Sequence, residues 1–147
     1  MTETAKIDRG KAEQYLHNTV RWLTAHGVSL LGSRVLYVRG RKSGELRSVP
    51  VNLLTFEGER YLIAPRGETQ WVKNLRAAGG GELRVGRRRE TFHAMELSDD
   101  DKPALLRAYL RRWKFEVGMF FNGVDAKAPE EKLREIAPRH PAFRITD

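Results

Sequence analysis

The apolar residues of this chain change their spacing several times, and each change marks an element. Over residues 11 to 26, Ala12, Tyr15, Leu16, Val20 and Leu23 recur on one helical face, with Gly27 as the stop. From Arg34 to Arg39 the run is β-branched and aromatic, and it ends in a turn over Gly40 to Gly44. Leu46 to Thr55 then alternates with a period of two, placing Val49, Val51 and Leu53 on one face. Glu57-Gly58 makes a hairpin turn into Tyr61 to Ala64. Pro50 has no amide proton, so it predicts an edge or a bulge rather than a central ladder position.

Thr69 is the candidate N-cap of a short helix carrying Trp71, Val72 and Leu75, which Gly79, Gly80 and Gly81 close. A second hairpin runs over Leu83 to Val85 and Glu90 to Leu97, turning at Gly86-Arg87. Ser98 to Asp101 caps a further helix, whose acidic start suits the positive end of the dipole and whose Pro103 fits the first turn. Its apolar stripe is Leu106, Tyr109, Leu110 and Trp113. A last helix is predicted over Pro129 to Ile136 and a closing strand over Phe143 to Ile145. Short strands joined largely by hairpins, without regular alternation with helices, argue against a doubly wound parallel sheet. They predict an α+β fold built on an antiparallel barrel, closed or split.

A length of 147 residues suits one domain over 1–147, and no repeat or linker divides it. No apolar run approaches the roughly 20 residues of a membrane helix. The segment Met1 to Gly10 is too polar for a secretory leader, and the absence of Cys excludes disulfide and thiolate chemistry. A cytoplasmic location is expected, with membrane association left open.

Charge changes the picture more. There are 27 Lys+Arg against 19 Asp+Glu, a formal +8, and the sequence pI is near 10.1. Plain solubility, a nucleic acid and a small polyanion all suit that balance. Its distribution separates them. Arg34, Arg39, Arg41, Lys42 and Arg47 surround a Gly-flanked turn and are opposed only by Glu45. Two further clusters are Arg87, Arg88, Arg89 and Arg107, Arg111, Arg112, Lys114. A tight turn suits a compact phosphate better than a duplex. A nucleic-acid-binding domain is the rival, but no recognition-helix pattern occurs and the aromatics are not interleaved with the basic runs.

Several chemistries are absent. There is no HExxH, CxxC, GxSxG or GxxxxGK[ST] pattern, and His17, His26, His93 and His140 are too scattered to hold a metal. His93 reads as a packed or surface residue, His140 as a turn residue, and Asp99 to Asp101 as a helix start rather than a metal site. The turn Gly40-Arg-Lys-Ser-Gly44 stands apart. Its backbone N–H groups can converge on an anion, Arg41 and Arg47 offer forked donors, Lys42 a point charge and Ser43 a hydroxyl. A solvated hairpin tip is the plain alternative for so short a string.

The string in its context resembles the signature of the deazaflavin-dependent nitroreductase and quinone reductase family, which uses coenzyme F420. Members show a strand, then Gly-Arg-Lys-Ser/Thr-Gly, an Arg three residues on and a Pro three beyond that, here Gly40 to Gly44, Arg47 and Pro50. Ala64-Pro65-Arg66-Gly67 and Trp71-Val72-Lys73-Asn74-Leu75 are similar to the family's next two motifs, and His140 to Arg144 is similar to the ending of some relatives. The resemblance implies a split β-barrel related to flavin-reductase and pyridoxamine-phosphate-oxidase barrels. It implies an enzyme that passes a hydride from reduced F420 to an electron-poor acceptor such as a quinone, enone or nitro compound. By the same resemblance Arg41, Lys42, Ser43, Gly44 and Arg47 contact the phosphate and the start of the oligoglutamate tail. Pro50, Ala64, Arg66, Gly67, Trp71 and Asn74 line the ring end.

There are departures. Arg66 stands where a Lys is usual, and the loop Gly67 to Gln70 lacks a Pro found in some relatives. Nitro-reducing relatives carry tyrosines near the C-terminal helix, whereas this chain offers Trp113, Phe115, Phe120 and Phe121, with Tyr109 nearby. That favours a quinone or a conjugated C=C bond over a nitro group, with the four aromatics as a wall for an apolar substrate and Tyr109 as the candidate catalytic residue. FMN is the alternative cofactor, because the same basic turn suits a monophosphate. No metal is expected. The partner expected is a small apolar substrate and no nucleic acid, with peripheral membrane contact and the oligomeric state left open.

Overall fold

Alternating side chains in the first half of the chain build a hairpin. In the computed structural model, which describes residues 33–147, β1 (Ser33–Arg39) and β2 (Leu46–Phe56) pair antiparallel from Ser33 opposite Asn52 to Arg39 opposite Leu46. The helix predicted over 11–26 lies outside the described residues. β3 (Glu59–Ile63) returns through Glu57-Gly58, both at positive φ (50° and 80°), the conformation that matches the twist of a tight hairpin. β2 pairs with β3 only from Leu53 to Phe56. Among the described residues, 46–52 pair only with β1 and 53–56 only with β3, and Pro50, opposite Val35, lies in the first of these one-sided stretches.

The remaining strands close the ring. The helix α1 (Gln70–Ala78) ends at Gly79, and Gly80 and Gly81 already belong to β4 (Gly80–Val85). β4 turns at Gly86-Arg87 into β5 (Arg88–Glu96). β6 (Ala142–Thr146) joins β3 to β5, and β4 pairs with β1, giving a closed antiparallel barrel in the order β1-β2-β3-β6-β5-β4. Two longer connections carry α2 (Pro103–Val117) and α3 (Glu130–Ile136).

The period-two alternation sorts the two faces of β2. Val51 and Leu53 point into a barrel core with Leu36, Leu62, Phe92 and Phe143, whereas Leu54 packs outward against Tyr109, Trp113 and Leu133. Burying each such side chain contributes roughly 1.5–3 kcal/mol. Trp113 fastens α2 to the barrel through its Nε1–H, which donates to the Leu53 carbonyl at 3.2 Å. At that residue α2 leaves helical geometry (φ −118°, ψ 23°), and a 3-10 turn, Gly118–Phe121, follows it. No helix among the described residues is long and apolar enough to cross a membrane.

Three local expectations are corrected. Thr69 occupies the N-cap position, yet its side chain forms no capping bond. His140 does sit at a bend, after the 3-10 turn Ala137–Arg139, but its side chain is buried: its ring stacks on Phe121 (4.1 Å between centroids, 17° between planes) and its Nδ1 lies 3.1 Å from the Ala64 carbonyl. Burial above all holds its pKa below the usual histidine value. Asp99 to Asp101 form a 3-10 turn ahead of α2, where Asp99 accepts from the buried Lys102 ammonium at 2.8 Å.

Candidate functional site

The turn between β1 and β2 is fixed by its own short-range bonds. Gly40 N–H donates to Glu45 C=O (2.8 Å) and Gly44 N–H to Gly40 C=O (2.9 Å). Ser43 Oγ accepts from Glu45 N–H (3.1 Å) and from Arg47 Nη2 (3.3 Å). A Cβ at Gly40 would lie 2.8 Å from Arg47 Nε and 2.9 Å from Ser43 Oγ, so any larger residue there would displace these two side chains. The missing Cβ is what lets Arg47 fold beneath the turn.

α1 anchors the turn from the side. Asn74 Oδ1 accepts from the Arg41 backbone N–H (3.0 Å) and from Arg41 Nη1 (2.8 Å), and the same Nη1 lies 3.0 Å from Gln70 Oε1. Arg41 and Asn74, which the resemblance assigns to opposite ends of the site, are thus in direct contact. Lys42 is exposed. No carboxylate of a described residue forms an ion pair with Arg41, Lys42 or Arg47.

A cavity of about 510 Å³ opens beside this turn, between the first half of β2, the start of α1 and the end of α2. Of the expected site residues, Arg47, Pro50, Arg66, Trp71, Asn74 and Tyr109 line it. Arg41, Lys42, Ser43 and Gly44 stay on the turn outside the lining. Ala64 and Gly67 are also outside it and act through the backbone: Ala64 C=O accepts from Gly67 N–H (3.2 Å) and faces the His140 ring. Trp71 serves both purposes considered for it, lining the cavity while its ring sits 6.3 Å from that of Phe143.

The aromatic wall is corrected. Trp113 and Phe121 are sealed in the core beneath α2, and Phe115 is 91% exposed and outside the lining. Only Phe120 of the four lines the cavity, with the Arg66 guanidinium 5.2 Å from its ring centre. Asn52, Thr69 and Glu116 also line it and were not foreseen. Asn52 left a signal in the sequence, a lone amide among the apolar residues Val49 to Leu54. Thr69 and Glu116 left none.

The electrostatics of the cavity are uneven. Among the described residues four buried side-chain polar atoms lack a hydrogen-bond partner: Arg47 Nε, Thr69 Oγ1, Tyr109 OH and Arg144 Nε. The first three belong to residues that line this one cavity. An unsatisfied buried polar group costs about 1–3 kcal/mol, so a cluster of three around one space marks where a bound molecule or water completes the bonding. Tyr109 is wholly buried, and burial is the main cause of a pKa far above the ordinary tyrosine value. Asn52 opposes the rise through an interaction short of a well-formed hydrogen bond, and the negative charge of Glu116 adds to it. The phenol therefore keeps its proton at neutral pH and has an O–H to donate in a hydrogen bond. A cationic turn leading into an apolar space with a few fixed donors suits an elongated anion with a flat head.

The fold has solved counterparts. An F420-H2 dependent reductase, FDR-A, is 16% identical, with 78% of this chain and 94% of that one covered at a TM-score of 0.53. A NimC/NimA family protein from Clostridium acetobutylicum is 13% identical over 90% of this chain and 88% of that one, with a TM-score of 0.52. A pyridoxinephosphate oxidase family protein from the same organism is 12% identical over 85% and 83%, with a TM-score of 0.50. At these identities the likeness is one of fold, the split barrel. No curated protein gives a match. The family model described as F420H(2)-dependent quinone reductase matches residues 9–125. The chain thus belongs to the F420H(2)-dependent quinone reductase family, oxidoreductases whose cofactor is coenzyme F420.

Proposed function

We propose that residues 1–147 act as one unit that reduces a neutral, apolar quinone or enone, with Arg41, Lys42, Ser43, Gly44 and Arg47 gripping the phosphate and first glutamates of F420. Pro50, Arg66, Trp71 and Asn74 would flank its ring, and Ala64 and Gly67 would set the backbone behind Arg66. When bound, the coenzyme supplies the hydride. The observation that carries this reading is that Arg47, Thr69 and Tyr109, each with a buried polar atom lacking a well-formed hydrogen bond, line one cavity next to a turn whose cations form no ion pair with a described carboxylate. Those residues fit the group: the anionic tail would meet guanidinium and ammonium, and the ring would meet Trp71 and Pro50.

The protein's own share is orientation and exclusion of water. Tyr109 donates a hydrogen bond to the acceptor's oxygen and polarises it. It keeps its proton because its pKa is raised, so the proton that completes the reduced product comes from solvent. Phe120 and Trp71 give apolar walls, which favour a flat neutral acceptor over a polar one.

The experiment is an absorbance assay of reduced F420 with menadione, an enone and a nitroaromatic, beside titrations of oxidised F420 and FMN followed by tryptophan fluorescence. Faster turnover of menadione or the enone, and tighter binding of F420 than of FMN, are expected. A nitroaromatic outrunning both other acceptors would overturn the choice of acceptor. FMN binding as tightly as F420 would overturn the assignment of the turn to the F420 tail.

A further inference from the structure

We propose that Glu116 sets the charge of the acceptor this cavity takes, turning away anionic quinones in favour of neutral or cationic ones. The inference rests on the reading of the cavity as the acceptor's site. Glu116 is the one acid among the lining residues, set against Arg47 and Arg66. It lies in the last turn of α2, just past the break at Trp113, and its neighbour Val117 is buried in the core beneath. Its field reaches the buried Tyr109 hydroxyl, whose pKa it helps to raise. The carboxylate therefore shares its cavity with Tyr109 and Asn52, the groups an acceptor oxygen would meet.

Among the described residues, no ion pair accounts for a charge at this place, although Arg66 and Arg47 line the same space. A half-buried carboxylate without a cationic partner gives up solvation and gains no ion pair in return. Its effect falls on whatever enters the cavity. The basic turn attracts anions from one side, and a carboxylate inside stops an anionic acceptor from exploiting that attraction. Two like charges several ångströms apart in a medium of effective dielectric about 20 repel strongly enough to change affinity by roughly ten-fold or more.

The test compares the wild type with Glu116→Gln on a matched pair, menadione and a sulfonated naphthoquinone. Two ratios are read. One is kcat/KM of the sulfonate over that of menadione with reduced F420. The other is the affinity of the two oxidised quinones for the protein without reductant, from quenching of tryptophan fluorescence. Both ratios are expected to rise about ten-fold in Glu116→Gln, to rise less at high salt, and to stay near the wild-type value in Glu116→Asp. Circular dichroism confirms that the variants fold. Ratios unchanged within two-fold, or raised equally by Glu116→Gln and Glu116→Asp, would overturn the proposal. Failure of the wild type to bind or reduce menadione at all would instead remove the acceptor reading beneath it.

Discussion

The barrel carries two basic hairpin turns that look alike in sequence and differ in what their charges do. At the β4–β5 turn, Arg88 bonds Glu90 (2.8 Å), while Arg89 bonds Glu82 (3.0 Å) and lies 4.5 Å over the Tyr37 ring. Glu90 also takes Arg60 (2.9 Å), and Arg60 foremost, with Arg88, holds its carboxyl below the usual range. Arg88 and Arg89 are thus answered within the fold, while Arg87 at the tip forms no ion pair with a described residue. At the β1–β2 turn the partners are an amide, a hydroxyl and carbonyls: Asn74 and Gln70 for Arg41, Ser43 for Arg47, Gly44 C=O for Arg39. Neutral partners orient a guanidinium without cancelling its charge. The difference teaches that a basic turn is read by its counter-charges and not by its composition, because only uncancelled cations leave a field for an external anion.

Arg47→Ala should separate the two turns most sharply. Its Nε is buried without a partner, and its place under the turn is kept by the absence of a side chain at Gly40. A charge-assisted contact contributes roughly 1.5–3 kcal/mol where water is excluded, and each factor of ten is about 1.4 kcal/mol. The affinity for F420 should therefore fall on the order of 100-fold in a fluorescence titration. Arg47→Lys should recover little of it, since an ammonium cannot reproduce the fork. A loss smaller than that of Lys42→Ala would mean that the turn acts as a diffuse field.

Lys42→Ala comes next. Its side chain is exposed, so salt and water weaken what it offers. An affinity loss of about ten-fold is expected at low ionic strength, shrinking as salt is raised. The rate at saturating coenzyme should change much less than the affinity, because the residue would touch the tail and not the reacting carbon. An equal fall in saturated rate and affinity would place Lys42 at the chemistry instead.

The sequence carried most of the barrel because strands announce themselves locally. The alternation of Val49, Val51 and Leu53 sets both the hairpin register and the face that turns inward. Pro50 marked a one-sided stretch of β2, which became a wall of the cavity. What stayed hidden depends on contacts distant along the chain. Arg41 meets Asn74 across 33 positions, and His140 reaches Ala64 across 76. The aromatic cluster misled for the same reason. Trp113, Phe115, Phe120 and Phe121 are neighbours in sequence, but the break in α2 at Trp113 and the 3-10 turn after it send two into the core, one to solvent and one to the cavity. Thr69 filled its cap position without its cap bond, and its hydroxyl served the cavity instead. Helix signals of this kind fix where an element starts, not which way a polar side chain turns.

The smallest effect should come from Arg88→Ala, and its smallness is what makes it decisive. The side chain is 78% exposed and its one carboxylate partner, Glu90, keeps the bond to Arg60 when Arg88 is removed. No buried acid is stranded, so the thermal midpoint should shift little; exposed ion pairs contribute at most about 1 kcal/mol. The variant lowers the net charge by one, as Lys42→Ala does. Any loss of F420 affinity through net charge alone would therefore be shared equally between the two. If the β1–β2 turn is a site, the loss at Lys42 should be about ten-fold and at Arg88 under two-fold, at the same low salt and in the same titration. The gap should narrow as salt rises, because the part of the Lys42 contribution that is screened is the part that distinguishes it. Equal losses in the two variants would show that this chain attracts its cofactor by its overall charge, and the uncancelled cations of the first turn would have no special role.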